Sequence, residues 1–493
     1  MSRPPFSPTR RFVLGGLLAG AATPLWAEAP ATSLLPRRRG DGGAVRAQPQ
    51  SAGQLVEAAK LGGAVGFIVA DAVTGAVIEA RDADQAMPPA SVLKSVTAAF
   101  ALDRLGPVHR FQTRVLRRGP VVQGVVQGDL ILAGGGDPVL DTDMLGDLAA
   151  KLAAQGIRGA TGRLLVWGGA LPLLPRIDGE QPDFVGYNPA VAGLNLNFNR
   201  VHFEWRRAGA DWRLTMDARA ERFVPEVHMA SVRIATRARP LFTYEGDGGA
   251  DRWTVASEAL GKGGARWLPV RHPALYAGDV FRTLVAAQGI ALPAPEVIES
   301  LPDGAELLAR HDSPVLEGIL KDMLKHSTNL TAEVAGMSAS QAASLRASAL
   351  AMQEWARLRH GMSAHFVDHS GLGGQSRISP ADMVRLLGDV QASALPGLLK
   401  NHGMRDDKGQ IIKGHPVQVH AKTGTLNFVS SLAGYIAPPG GRRLAFAIFA
   451  ADTARRAALP PEAREQPAGG LDYQKRARRL QAALITRWAT LHG

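Results

Sequence analysis

The 493-residue sequence contains no cysteine, so a disulfide framework, a thiolate metal site and a cysteine nucleophile are all excluded. Its 13 histidines form no His-Glu-x-x-His pair or comparable ligand cluster, and we therefore predict no metal site and no cofactor. The Gly-x-Ser-x-Gly turn of α/β-hydrolases is also missing, because the nearest match, residues 361–365, ends in His365 instead of glycine. These absences argue against cysteine peptidases, zinc peptidases and α/β-hydrolases.

Blocks of one charge are also scarce. Hydrophobic residues make up 46% and charged residues 20% of the chain, which is typical of a soluble globular protein, and the length suggests two or three domains. The formal net charge is +12, but the first 46 residues hold seven arginines against two acidic residues, so the remainder carries +7. This mild excess suits an acidic polymer such as a cell-wall glycan. Lysine and arginine do not alternate with aromatic residues in a stripe, and we expect no nucleic-acid partner.

The amino terminus has the composition of an export signal. The pair Arg10-Arg11 precedes an apolar run over residues 12–22, and alanines at 27–31 offer small-residue cleavage sites. The run is shorter than the ~20 residues that span a bilayer, which argues against a retained anchor. We predict a cleaved signal peptide over residues 1–29, a linker rich in proline, glycine and arginine over residues 30–50, and a periplasmic location. Twin-arginine export and Sec export are both open.

Hydrophobic periodicity predicts an α/β domain whose sheet is built from both ends of the chain. Two β-rich runs flank Thr74-Gly75, which predicts a hairpin over residues 63–80. Helices are predicted at 91–105, 142–155, 273–288, 314–325, 330–339, 344–360, 380–390 and 471–491. Strands are predicted at 115–132, 201–213, 227–237, 419–423, 429–436 and 443–450, and residues 246–264 are expected to be loop-rich. This order predicts one α/β domain over residues 51–114 and 273–493, with one or two inserted modules, mostly β, over residues 115–272.

A candidate nucleophile lies on the predicted helix at 91–105. Ser91 and Lys94 are three residues apart, so they share a face of that helix, about 5–6 Å apart at Cβ. A serine hydroxyl is a poor nucleophile until a neighbouring group takes its proton, and Lys94 is the nearest candidate base. To act near neutral pH the lysine pKa must fall from about 10.4 towards about 7, and burial and a second cation, Lys422, would lower it. Alternatively, Ser91 caps the helix and Lys94 is a solvated surface lysine.

A second polar motif, Ser327-Thr328-Asn329, lies in a break between two predicted helices. Its alternating side chains allow Ser327 to relay a proton and Asn329 to hold a substrate amide in one cleft. The same residue types are also common helix N-caps, so the motif alone does not predict catalysis.

The third motif, Lys422-Thr423-Gly424-Thr425, ends a predicted strand. Its glycine permits a substrate backbone to approach and pair as an added strand. The ammonium and hydroxyl groups suit a terminal carboxylate, and the backbone N–H groups of Thr425 and Ser91 suit an oxyanion hole. The alternative is a surface turn after an edge strand.

The three motifs in this order resemble the D-alanyl-D-alanine carboxypeptidase/endopeptidase family, the low-molecular-weight class C penicillin-binding proteins with a large insertion. The match runs from about residue 60 to the carboxyl terminus and includes Gly134-Gly135-Gly136-Asp137-Pro138, Leu194-Asn195-Leu196-Asn197, Asn329-Leu330-Thr331-Ala332-Glu333 and Asp368-His369-Ser370-Gly371-Leu372. The resemblance implies the penicillin-binding transpeptidase fold, an antiparallel sheet flanked by helices plus an all-helical part, with the mostly β insertion.

The resemblance also implies an activity, namely serine-type hydrolysis of D-Ala-D-Ala, of peptide cross-links in peptidoglycan, or of both. The reaction would pass through an acyl-enzyme on Ser91, with stem peptides as substrates and β-lactams as covalent inhibitors. The catalytic candidates are Ser91, Lys94, Ser327 and Asn329, and the substrate-binding candidates are Lys422, Thr423, Gly424 and Thr425.

The sequence departs from the family pattern at three places. Thr328 stands where aspartate is usual, and we expect its side chain to point away from the cleft. The motif that begins at Asp368 has two or three additional residues before Arg377, and residues 399–417 differ from the usual approach to the third motif. These differences bear on the cleft rim and on substrate preference.

Two other functions stay open at this point. A β-lactamase shares the three motifs but gives no reason for the insertion, and a non-catalytic penicillin-sensing or wall-binding protein could keep the cleft. The predicted terminal helix carries an apolar stripe beside basic residues, which fits packing on the sheet or peripheral membrane contact at most. The sequence leaves the oligomeric state and the balance of carboxypeptidase and endopeptidase activity open.

Overall fold

The structure is a computed structural model that describes residues 50–209, 211–246, 249–406, 409–440, 442–460 and 463–492. The predicted signal peptide and nearly all of the predicted linker therefore lie outside the described residues.

The described residues form helices and short strands in a mixed order. The helices are α1 (Ala52–Ala59), α2 (Leu93–Leu105), α3 (Thr142–Ala154), α4 (Pro273–Ala286), α5 (Leu316–His326), α6 (Asn329–Ser340), α7 (Leu345–His360), α8 (Pro380–Asp389), α9 (Leu395–Leu398), α10 (Thr453–Ala457) and α11 (Gly470–His492). The strands are β1 (Ala64–Asp71), β2 (Val77–Arg81), β3 (Gln112–Arg118), β4 (Val121–Val122), β5 (Val125–Val126), β6 (Asp129–Gly134), β7 (Gly159–Ala160), β8 (Leu164–Trp167), β9 (Arg200–Ala208), β10 (Asp211–Asp217), β11 (Ala230–Ala235), β12 (Phe242–Tyr244), β13 (Asp251–Ala256), β14 (Gly263–Pro269), β15 (Pro295–Ile298), β16 (Glu306–Asp312), β17 (Gln418–Leu426), β18 (Val429–Ala437) and β19 (Leu444–Ala451).

The sheet that carries the site combines the two ends of the chain. Its antiparallel strand order is β17-β18-β19-β1-β2, and β1 pairs with β19 so that Ala64 lies opposite Ala451 and Asp71 opposite Leu444. Every residue of β19 is buried, because helices cover both faces of the sheet. This explains why the strand is a continuous apolar run instead of an alternating one.

Different helices cover the two faces of this sheet. Apolar residues of α2 and α5 to α9 form one core with β1, β18 and β19, while α1 and α11 close the opposite face. The first core includes the all-helical part of the fold and surrounds α2, in which residues 93–101 are all buried. The helix that follows Ser91 is thus held on its sides by the sheet and by neighbouring helices.

The middle of the chain forms further sheets around a separate core. A five-stranded sheet has the order β15-β8-β6-β3-β16, and three-stranded sheets have the orders β10-β9-β14, β11-β13-β12 and β4-β5-β7. Helices α3 and α4 pack with these strands in a core that includes Tyr276, Phe281 and Trp253. This segment contains the predicted mostly β insertion.

The predicted elements agree with the structure except in the middle segment. Residues 201–213 belong to two paired strands, β9 and β10, rather than one. The stretch 246–264 is less loop-rich than expected, because it contains β13 and the start of β14, which begins with two glycines. Strands β15 and β16 pair with β8 and β3, although the boundary at 272 placed them with the first domain. The domain division itself stays a prediction.

The terminal helix α11 packs on the sheet. Its Trp488 side chain is fully buried, lies 5.8 Å from the Phe67 ring and donates a hydrogen bond to Glu79 Oε2 at 2.7 Å. Burial of the apolar stripe against β1 and its neighbours favours packing over membrane contact as the reason for the stripe. In the part of the chain that the structure describes, no helix combines the length and the apolar character that crossing a bilayer requires.

Candidate active site

Ser91 lies in a tight turn that leads into α2. Residues 90–92 form one turn of 3₁₀ helix, and Ala90 adopts a left-handed conformation with φ of 47°. This conformation is costly for a residue with a side chain and is a feature that often occurs at functional sites. The N-cap of α2 is Val92, which makes no side-chain cap, so Ser91 does not cap the helix. Instead, Ser91 Oγ accepts a hydrogen bond from Lys94 Nζ at 2.9 Å.

Lys94 is a fully buried side chain and not a surface lysine. Besides Ser91, its Nζ donates to Asn329 Oδ1 at 2.7 Å and to the Ser370 carbonyl oxygen at 2.8 Å. Three oxygens therefore fix the amine beside the Ser91 hydroxyl. The first two motifs meet through this one nitrogen atom.

Burial is the main influence on the acid–base chemistry of Lys94. It lowers the pKa of Lys94 to about 8, while the carboxyl groups of Glu333 and Asp368 act in the opposite direction. The sequence analysis attributed part of this lowering to the charge of Lys422. In the structure, the charges that act on the pKa of Lys94 are those of the two carboxyl groups. The interaction between the two lysines appears at Lys422, whose pKa is lowered by the charge of Lys94.

Glu333 and Asp368 hold the loop that presents the Ser370 carbonyl to Lys94. Glu333 is buried and accepts hydrogen bonds from the backbone N–H groups of His369 at 3.0 Å and Ser370 at 2.9 Å. Asp368 accepts from Gly371 N at 3.1 Å. Burial raises the pKa of both carboxyl groups. The sequence analysis gave these two residues no role; the signal for Glu333 was its position as the charged residue of an otherwise uncharged helix.

Ser327 and Lys422 form a second pair on the other side of the site. Ser327 ends α5 in the left-handed conformation, φ of 61°, and its N–H bonds to the Met323 carbonyl at 2.7 Å. Its Oγ accepts from Lys422 Nζ at 2.9 Å, and that amine also donates to the Thr423 carbonyl at 2.8 Å. Burial lowers the pKa of Lys422 well below its usual value, and the charges of Lys94 and Lys400 lower it further.

Asn329 begins α6 and faces two groups at once. Its Oδ1 receives the bond from Lys94, and its Nδ2 donates to the Tyr187 carbonyl oxygen at 2.9 Å. Tyr187 belongs to the middle segment, so that segment contributes an atom to the site. Thr328 is the N-cap of α6 but makes no side-chain cap hydrogen bond, which removes the N-cap explanation for this residue.

The substrate-binding candidates lie on β17, an edge strand of the sheet. Thr423 and Thr425 are exposed, and the residue between them, Gly424, is buried against the turn of Ser91. A Cβ atom on Gly424 would lie 2.5 Å from the Pro89 carbonyl oxygen and 3.1 Å from Ser91 N. The contact between the strand and the turn that carries Ser91 is therefore itself a reason for glycine at this position.

A cavity of about 260 Å³ is lined on one side by Pro88, which lies two residues before the turn that carries Ser91. Its remaining wall consists of Glu180, Gln181, Gly374, Gln375, Arg377, Asn427, Thr453, Arg456, Ala457, Leu459 and Arg464. Three arginines thus face one space beside the site, and the additional residues before Arg377 form part of it. Within the described residues, no cluster of three or more histidine or acidic side chains could hold a metal ion.

The chain is similar to known proteins over most of its length. The family model described as D-Ala-D-Ala carboxypeptidase 3 (S13) matches residues 50–469. A D-alanyl-D-alanine carboxypeptidase of Actinomadura sp. (strain R39) is 29% identical over 455 residues, which cover 80% of this chain and 79% of the relative. The D-alanyl-D-alanine carboxypeptidase DacB of Haemophilus influenzae is 25% identical over 414 residues, which cover 79% and 85%.

A solved structure supports the same architecture. The crystal structure of penicillin binding protein 4 (dacB) from Haemophilus influenzae superposes with a TM-score of 0.70 at 20% identity, covering 89% of this chain and 99% of that chain. This likeness confirms the predicted fold class.

Proposed function

This chain belongs to the D-Ala-D-Ala carboxypeptidase 3 (S13) family of serine peptidases, and we propose that Ser91 is the residue that attacks its peptide substrate. The observation that carries the assignment is the 2.9 Å contact between Ser91 Oγ and Lys94 Nζ. Lys94 accepts the hydroxyl proton as the oxygen attacks the carbonyl carbon of the penultimate D-alanine. The products of this step are an ester on Ser91 and a free D-alanine, and water then hydrolyses the ester.

Lys94 must be neutral to act as this base. Its pKa of about 8 leaves roughly a tenth of the molecules in the neutral form at pH 7, since one pH unit changes the ratio about tenfold. A substrate carboxylate beside Lys422 favours the charged form of Lys422. Two neighbouring cations repel each other, so this charge on Lys422 favours the neutral form of Lys94. Substrate binding and activation of the base are coupled in this way.

The leaving amine needs a proton, and the pair Ser327 and Lys422 is placed to supply it. Lys422 Nζ lies 2.9 Å from Ser327 Oγ, which is a suitable distance for a hydroxyl that passes a proton onward. Asn329 contributes by holding the Lys94 amine and by offering its amide to the substrate backbone. The developing oxyanion is assigned to the backbone N–H groups of Ser91 and Thr425, which the close contact of Gly424 with the Ser91 turn brings together.

The substrate pairs with the edge of β17 as an additional strand. The first half of this edge is covered, since Lys400 O accepts from Ala421 N at 2.9 Å and His402 N donates to Val419 O at 2.8 Å. The exposed side chains of Thr423 and Thr425 follow beyond that cover, and with Lys422 they bind the terminal carboxylate. The cavity with Arg377, Arg456 and Arg464 suits a carboxylate further along a stem peptide.

These features support peptidoglycan stem peptides as substrates and β-lactams as covalent inhibitors of Ser91. They also support a periplasmic location after export, as the amino-terminal sequence predicts. Endopeptidase action on cross-links is the second candidate activity, because the arginine-lined cavity lies beside the cleft and gives room for a second peptide strand.

A labelling experiment tests the nucleophile. Purified protein is incubated with a fluorescent penicillin, and intact-mass spectrometry with peptide mapping locates the adduct. We expect one adduct on Ser91, none in Ser91→Ala, and normal labelling in Ser95→Ala, a buried hydroxyl one helical turn further along α2. An adduct on another residue, or none on the folded wild-type protein, would refute the assignment. Assays with cross-linked and with uncross-linked muropeptides then compare endopeptidase activity with carboxypeptidase activity.

A further inference from the structure

The orientation of the Asn329 amide depends on an acceptor outside the three motifs. An asparagine amide can present either its oxygen or its NH₂ group to a neighbour, and the hydrogen-bond partners decide between the two orientations. Here the Tyr187 carbonyl accepts from Nδ2 at 2.9 Å, which leaves Oδ1 facing Lys94 Nζ at 2.7 Å. In the opposite orientation, the NH₂ group of Asn329 would face the Lys94 amine, and the side-chain oxygen of Asn329 would face the Tyr187 carbonyl oxygen. The Tyr187 carbonyl therefore selects the productive orientation.

The Tyr187 carbonyl lies in a stretch without helix or strand, residues 168–196, all of which the structure describes. The backbone of this stretch pairs with itself at an isolated bridge between Leu174 and Val191, which does not include Tyr187. The neighbouring side chain of Asn188 provides part of the support. It is fully buried, accepts from Ile177 N at 3.0 Å and Asp178 N at 2.9 Å, and donates to the Asp178 carbonyl at 2.8 Å.

Arg271, two residues after the end of β14, provides further support. Its buried guanidinium donates to the Asn188 carbonyl at 2.8 Å, to the Pro175 carbonyl at 2.9 Å and to the Asp183 carbonyl at 2.6 Å. One rigid planar group thus joins three separate points of the stretch that contains Tyr187. The fork of arginine N–H donors suits this task better than a lysine ammonium.

We propose that Arg271 and Asn188 are positioning residues for catalysis, which hold the Tyr187 carbonyl so that Asn329 presents its oxygen to Lys94. The inference rests on the proposed function, since it assigns these residues to the activation of Ser91. It gives the middle segment an indirect part in catalysis, because the Tyr187 carbonyl bonds Asn329, which in turn bonds Lys94. The chain of contacts runs from Arg271 through Asn188 and Tyr187 to Asn329 and Lys94.

A double-mutant cycle tests the proposal, with the second-order rate of penicillin acylation as the readout. Arg271→Gln should lower this rate about tenfold when Asn329 is present and less than about twofold in an Asn329→Ala background, because coupled residues are not additive. Arg271→Lys keeps the charge and some donors, so it should lose less than Arg271→Gln. Arg219→Gln removes another arginine of the middle segment, one that bonds Asp217, and should leave the rate unchanged.

Melting curves identify which variants are folded, and Asn188→Ala or Arg271→Lys replaces Arg271→Gln in the cycle if the latter fails to fold. An equal loss of rate with and without Asn329 would overturn the proposal, because it would show a purely structural role. Unchanged rates in the folded variants would overturn it as well. Absence of any adduct on wild-type Ser91 is a different result, which would refute the proposed function itself.

Discussion

The Nζ atom of Lys422 lies 2.9 Å from the hydroxyl oxygen of Ser327 and joins the edge of the sheet to the link between α5 and α6. The two residues are 95 positions apart in the sequence. Ser327 reaches this contact only because it adopts a left-handed conformation at the end of α5, a position where glycine is the usual residue. The left-handed conformation of Ser327 is less favourable than that of a glycine, but the serine places its hydroxyl group in the site.

Replacement of Ser327 by glycine should therefore separate stability from activity. Relief of a left-handed side chain returns about 1–2 kcal/mol, while the additional freedom of glycine in the unfolded chain costs about 0.5–1 kcal/mol. We expect Ser327→Gly to unfold at the same or a higher urea concentration than wild type, with acylation slower by about 100-fold or more. Ser327→Ala keeps the conformational cost and should be equally slow but less stable than Ser327→Gly. A Ser327→Gly variant with the wild-type acylation rate would show that the hydroxyl has no part in catalysis.

The rate of acylation should depend on pH through Lys94. Because its pKa is lowered to about 8, the neutral base becomes more abundant as pH rises, and the rate should rise until pH passes this value. Glu333 raises the pKa of Lys94, so Glu333→Gln should move the acidic limb to lower pH. Stopped-flow measurements of penicillin acylation would show the shift. They should cover roughly pH 5 to pH 9, a range that includes the pKa of Lys94. Glu354→Gln, an exposed carboxylate paired with Arg357, is the control and should leave the limb in place.

Removal of Lys422 should move the same limb in the opposite direction. When the carboxylate of a bound penicillin holds Lys422 in its charged form, that charge disfavours the proton on Lys94, and Lys422→Ala removes this effect. The limb should shift to higher pH, and the rate should also fall because the substrate carboxylate loses its partner. The full pH profile separates the two effects, since a pure loss of binding lowers the plateau and leaves the limb unmoved.

Gly424→Ala should displace the nucleophile. The added methyl group would meet the Pro89 carbonyl at 2.5 Å, so the strand or the Ser91 turn must move. Small displacements of reacting groups cost about 100-fold in rate, and we expect a loss of that order in acylation. Gly318→Ala is the matched control, because Gly318 lies within α5 with no atom near its added methyl group. It should leave the rate unchanged and stabilise the protein by about 0.5–1 kcal/mol. Equal acylation rates in the two variants would contradict the prediction.

Trp488→Ala tests the packing of α11. Its side chain is fully buried between Phe67 and Phe446, and truncation should lower the free energy of unfolding by about 3–5 kcal/mol. Leu491→Ala, with 44% of the residue exposed on the same helix, should cost less than about 0.5 kcal/mol. Urea denaturation of the soluble variants measures both values. Equal and small effects would mean that the apolar stripe of α11 serves a purpose other than packing on the sheet.

Local patterns were sufficient to predict most helices and strands around the site. The hairpin of β1 and β2, the helix after Ser91 and the three closing strands follow from periodicity and turn residues near in sequence. The division of 201–213 into two strands was missed, although Arg206 and Arg207 interrupt the alternation and Gly209 is a turn signal. The strands at 251–256 and 263–269 were obscured by the glycines at their ends.

The chemical roles of the three motifs could be predicted from the sequence, but the backbone groups that hold their side chains in place could not. Ser91 and Lys94 are close in sequence, so their contact follows from helical spacing. The Ser370 and Tyr187 carbonyl groups are backbone atoms of distant segments, and no residue type identifies a carbonyl that will accept a bond from Lys94 or Asn329. Burial of Lys94, which sets its pKa, likewise depends on contacts that only the folded chain makes.

The pairing of β1 with β19 fixes the order in which this enzyme becomes active during synthesis. Asp71 can pair with Leu444 only after Leu444 has been synthesised. At usual ribosomal speeds the residues between them take about 20–80 s to add. Until then α2 lacks its sheet, and Ser91 lacks both Lys422 and the strand that binds substrate. A product that ends before β17 contains Ser91 and Lys94 but lacks Lys422 and the edge strand. The residues of the proposed site therefore come together only after almost all of the chain has been made.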